Sequence, residues 1–68
     1  MAVTKIIELV GSSSTSSDDA VQQALTEARK TLRNVKALDV VSIGLRGDEL
    51  SEWRAYVRVS FLIERVGE

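Results

Sequence analysis

Cysteine and histidine are both missing from this 68-residue chain. Their absence removes disulfides and Cys/His zinc sites together, and with them the usual staples of a domain so short. It also removes the thiol nucleophile and the side chain most used as general base. Aromatics are scarce, with one Trp, one Tyr and one Phe. Neither sign of charge dominates, since nine basic and ten acidic residues leave a net charge of −1. That balance gives no electrostatic footprint for nucleic acid or for an anionic membrane. No apolar run is long enough to span a bilayer. The opening MAVTKIIELVG has no charged leader ahead of an apolar segment with a cleavage site, so a cytoplasmic location is the expectation. One domain over residues 1–68 is expected. A domain of this size buries only about 60% of the surface its unfolded chain exposes. Composition therefore favours a homo-oligomer, with a metal bound only by oxygen ligands as the lesser alternative.

What is present is strongest in EWRAYVRVSFLIE, Glu52 to Glu64. Trp53, Ala55, Val57, Val59, Phe61 and Ile63 alternate with Arg54, Tyr56, Arg58, Ser60, Leu62 and Glu64. Strict period-two alternation rich in β-branched and aromatic residues predicts a strand with one face on a core. The second face carries Tyr56 and Leu62 among its charges, so it too needs a cover. Val3 to Val10 reads as a first strand ended by Gly11, and its imperfect alternation suits two partly covered faces. Val35 to Leu45 reads as a second strand, with Arg46 to Ser51 as the turn into the third. The Arg46-Gly47-Asp48 tripeptide matches a cell-adhesion sequence, but the turn accounts for it.

Between the first two strands a helix is predicted from about Ser17 to Arg33. Val21, Ala24, Leu25, Ala28 and Leu32 mark one stripe. Ser16 with Asp19 fits a capping box, and Asp18 and Asp19 lie where the helix dipole favours negative charge. Arg29, Lys30 and Arg33 complement the other end, and need no phosphate to explain them. The resulting class is α+β: a β-α-β-β unit in which a three-stranded antiparallel sheet packs on one helix. One helix can cover one face of three strands, which leaves Arg54, Tyr56, Arg58 and Leu62 on a face that a monomer exposes. Glu8, Asp39 and Glu64 are the carboxylates within reach of those arginines.

The serine-threonine run Ser12 to Ser17 reads first as a polar loop whose hydroxyls satisfy local backbone groups. A sharper reading is a small ion or anion site, because hydroxyls, backbone groups and the carboxylates of Asp18 and Asp19 converge there; for calcium, Ser13, Thr15, Asp18, Asp19 and Glu8 supply the oxygen ligands it takes. No enzyme is expected. Ser12 to Ser17 lacks a partner base, and Asp18 and Asp19 are adjacent rather than opposed.

KIIELVGSSSTS at Lys5 to Ser16, AVQQALTEARKTLRNV at Ala20 to Val35 and VRVSFLIE at Val57 to Glu64 together resemble the dodecin family over nearly the whole chain. The resemblance implies twelve copies packed into a hollow dodecamer of cubic symmetry, which would supply the missing cover. It also implies a flavin site built from a stacking tryptophan on the second strand and a glutamine on the third. Those positions align with Ala37 and Arg54. Alanine has no π face, and arginine donates but cannot accept. Trp53 points to the face opposite Arg54, so it reads as a core residue rather than a displaced stacker. The expectation is a shell with a structural, storage or small-ion role and without ordinary flavin binding, resembling the branch of the family associated with calcium. The alternative is a flavin binder in which Arg54 meets a ring carbonyl or a phosphate.

Overall fold

A computed structural model describes residues 3–63. Its elements are β1 (Val3–Ser13), α1 (Ser17–Thr31), β2 (Val35–Arg46) and β3 (Glu52–Ile63). The sheet order is β1-β3-β2, with β3 antiparallel to both neighbours. The α+β, β-α-β-β arrangement is thus the one expected. Glu64 and the tail after it lie outside the described residues.

The alternation along β3 does what its pattern predicts. Ala55, Val57 and Val59 are fully buried beneath α1, and Trp53 packs half-buried beside them. Register carries this face across the sheet, since Gly11, Leu9 and Ile7 pair with Ala55, Val57 and Val59. From the helix, Ala20, Ala24 and Ala28 are buried at four-residue spacing, with Val21 and Leu32 half-buried at the flanks. The contact stripe is therefore centred on alanines. Small side chains at a packing line let a helix approach closely.

Gly11 explains how closely. A Cβ there would run into the carbonyl oxygen of Ala20 and come within 3.0 Å of the Ala24 nitrogen. This corrects the sequence expectation that Gly11 ends the first strand. The strand continues to Ser13, and the glycine is where the helix backbone rests on it. The helix also stops two residues earlier than Arg33. Leu32 is already extended while its N–H bonds the Ala28 carbonyl at 2.9 Å, and Asn34 takes a left-handed conformation with φ 59° to redirect the chain into β2. Asn tolerates that conformation better than most residues.

In β2 the pairing slips between Val35 and Ala37 and again between Val40 and Ser42. The extra residue Val41 is a bulge. With it set aside, Val40, Ile43 and Leu45 line up with Val57, Ala55 and Trp53 on the helix side. Yet α1 lies over β1 and β3, so these three remain 44%, 48% and 36% exposed. One helix covers rather less than one face of the sheet.

Substituting Gly11→Ala forces α1 off the strand, and should lower stability by about 1–3 kcal/mol. A urea midpoint equal to that of the unsubstituted protein would show that the close contact is absent.

Candidate functional site

The face of the sheet turned away from α1 is where the chemistry-bearing side chains gather. Across the strands, Glu8, Arg58 and Asp39 fall in one row; Val10, Tyr56 and Ser42 in the next; and Ser12, Arg54 and Gly44 in a third. Period-two geometry places them all on one side. Ile6 and Val10 are each 58% exposed there, which leaves apolar surface open between charges.

Arg58 donates from Nε to Glu8 Oε2 at 3.2 Å. The Tyr56 hydroxyl donates to the same carboxylate, and this bond, followed by the one from Arg58, holds Glu8 below its ordinary pKa. The Tyr56 phenol is pushed up in turn, chiefly because it donates to Glu8. Of the carboxylates expected to meet the arginines, Glu8 does so. Arg54 instead finds Glu52, two residues away on the same strand face, with Nε to Oε2 at 2.8 Å. Sequence reasoning missed Glu52, although its period-two relation to Arg54 was in plain view.

Ala37 and Arg54 both lie exposed on this open face. Ala37 pairs with Ser60, six residues along β3 from Arg54, a separation of roughly 20 Å at the strand rise. A single small ligand touching both positions would have to draw them from different subunits.

The start of α1 holds the second cluster. Ser13, only 9% exposed, donates from Oγ to Asp19 Oδ2 at 2.6 Å and accepts from the N–H groups of Thr15 at 2.9 Å and Ser16 at 3.4 Å. Ser16 is the N-cap, and its hydroxyl accepts from the Asp19 N–H at 3.0 Å. The reciprocal half of the expected capping box is therefore relayed. The Ser13 hydroxyl stands between the Ser16 N–H and the Asp19 carboxylate. Ser13 and Asp19 are thus brought together, Thr15 contributes its backbone, and Asp18 is exposed in the first turn outside this network. Glu8 is not brought to the cluster, being held by Arg58 on the other face. Among the described residues there is no group of three or more His, Cys, Asp or Glu side chains placed to hold a metal.

A βαββ unit whose one helix leaves most of its sheet surface uncovered, with polar clusters on the open face and at the start of α1, defines a small α+β module with exposed residues on both faces of its sheet. The dodecin family model matches residues 3–64, and the chain belongs to that family. It is 39% identical over 64 residues to a dodecin of Thermus thermophilus, spanning 91% of this chain and 93% of that one. A crystal structure of a Thermus thermophilus protein superposes with a TM-score of 0.86 at 37% identity, covering 97% of this chain and all of the other. A calcium-chelating antigen of Mycobacterium tuberculosis, described as a calcium dodecin with a novel calcium-binding site, gives a TM-score of 0.80 at 26% identity, covering 97% and 96% of the two chains. Dodecins are non-enzymatic small-ligand-binding proteins that form homo-oligomers, and the dodecamer follows from the family. Among the described residues no helix is long and apolar enough to cross a membrane.

The Glu8 network makes an acid-limb prediction. Because the folded-state pKa of Glu8 is lowered, the unfolded chain holds the proton in a window where the folded chain does not, and stability rises with pH there. The contribution is complete above the ordinary glutamate value of about 4.3 and is lost as pH falls through the folded-state value. Urea titrations at fixed protein concentration between about pH 6 and pH 3 should show the unsubstituted protein losing more stability than Glu8→Gln, the two converging at the acid end. Parallel curves would contradict the network.

Proposed function

We propose that this chain is the subunit of a dodecin shell with a structural, storage or small-ligand role, and that it does not bind flavin in the ordinary way. The observation that carries the reading is Ala37, whose methyl group lies exposed on the open face at the position aligned with the family's stacking tryptophan. A methyl cannot supply the ring-on-ring contact, worth about 0.5–1.5 kcal/mol beyond burial for an aromatic pair. Arg54, aligned with the amide, has its Nε committed to Glu52 and offers no acceptor to the edge of a flavin ring. Titration with riboflavin should leave Trp53 fluorescence without a saturating quench. The double variant Ala37→Trp with Arg54→Gln should bind tighter by about tenfold or more. Equal, tight binding by both proteins would overturn the reading.

A second reading, calcium at the start of α1, is favoured by the convergence of Ser13, Thr15 and Asp19, with Asp18 on the same turn. Calcium takes six to eight oxygens at flexible geometry, and hydroxyl, carboxylate and carbonyl groups are all near. The ion would take the place of the proton that Ser13 now donates to Asp19. Calcium at about millimolar concentration should raise the melting temperature, chelator should restore it, and Asp19→Asn should abolish the rise. A melting temperature unmoved by calcium would count against the site.

A further inference from the structure

The row containing Gly44 holds an excess of positive charge at close quarters. Arg46 follows Gly44 by two residues on the same face, and its side chain lies back over that glycine, with Nη1 2.8 Å from where a Cβ would stand. Directly across the strand pair from Gly44 is Arg54, and directly opposed residues have Cβ positions about 4.5–5.5 Å apart. The Arg46 guanidinium therefore lies over one bare stretch of backbone, and the Arg54 side chain starts directly across from it. Glu52, opposite Arg46 in the ladder, pairs with Arg54 at 2.8 Å. Among the described residues no carboxylate lies within ion-pair distance of Arg46, whose Nη1 donates instead to the Leu45 carbonyl at 2.9 Å.

The same place is a cavity of about 370 Å³, lined by Val10, Ser42, Gly44, Arg46, Arg54 and Tyr56 among others, a volume at the small end of ligand sites. Each guanidinium spends one of its five N–H donors on a protein partner. The remaining donors and the Ser42 hydroxyl can face an entering group. The lining contributes donors and a positive charge, with Val10 as an apolar wall.

We propose that this cavity binds a small oxyanion, the phosphate or carboxylate group of an anionic ligand, with Arg46 and Arg54 as its paired donors and Gly44 as the floor that lets Arg46 reach it. Paired guanidinium donors suit such groups because their planar forks match two oxygens at once. An oxyanion there supplies a counter-charge that Arg46 does not find among the described residues. The inference deepens the reading of a small-ligand site without ordinary flavin binding, and rests on it only in assigning Arg54 to an anion rather than to a flavin ring.

Calorimetric titration of the assembled protein with inorganic phosphate, and separately with malonate, tests it. Saturable binding of at least one probe is expected. Arg46→Ala should weaken it about tenfold or more, Arg46→Lys by less, since charge remains while the fork is lost. Ser42→Asp places a carboxylate inside the cavity and should abolish binding while both arginines remain. Arg29→Ala, at the far end of α1, should leave binding unchanged. No saturable binding of either probe, or equal affinities in the unsubstituted protein, Arg46→Ala and Ser42→Asp, would overturn the proposal. Solution mass and circular dichroism of each variant establish that it assembles, and Ser42→Asp serves as the test should Arg46→Ala fail to do so. A parallel riboflavin titration separates the two claims. Tight riboflavin binding alone removes the flavin-free reading, whereas absent or variant-insensitive phosphate and malonate binding removes this one.

Discussion

Contact between the α1 backbone and Gly11 governs the molecule. Because no side chain intervenes at Gly11, and alanines line the facing turns, α1 settles directly onto β1 and β3. That proximity seals Ala55, Val57 and Val59 completely, which makes a core from small residues in a chain too short to assemble a large one. It also fixes what stays uncovered. A helix drawn tightly over two strands reaches the third only near Val35 and Leu38, so Val40, Ile43 and Leu45 stay open on one side. Ile6 and Val10 are exposed on the other.

Both open surfaces call for other copies of the chain, and the family to which it belongs is homo-oligomeric. The charged groups of the second face are arranged in keeping with a surface of that kind. Arg58 and Tyr56 converge on Glu8, and Arg54 on Glu52. At the level of one chain these half-exposed pairs contribute little to stability. Their consequence is positional, because they settle where each guanidinium points before any neighbour or ligand arrives.

Much of this was legible in the sequence, for physical reasons. The twelve-residue alternation in β3 overdetermines its two faces, and a one-residue slip would turn every side chain over. The helix and its Ser16 cap were equally plain, since stripe, cap and first-turn charges agree. Gly11 was misread because glycine signals both strand ends and close backbone approach, and local sequence does not say which. Val41 hid the alternation of β2, because a bulge inserts one residue into a period of two. Ser13 looked like one hydroxyl among several; only the path of the chain from β1 into α1 singles it out as the buried link to Asp19. Glu52 needed no structure to be found, only attention to its spacing from Arg54. Ala37 and Arg54 were singled out by the family resemblance, but their shared face and their separation along β3 depended on the register that the bulges set.

The central claim is that one chain cannot close its own sheet and that sister subunits do so. Sedimentation equilibrium at micromolar protein measures this directly. The account predicts a folded species near twelve times the 7.5 kDa chain mass. A well-folded species sedimenting at the mass of a single chain would contradict it.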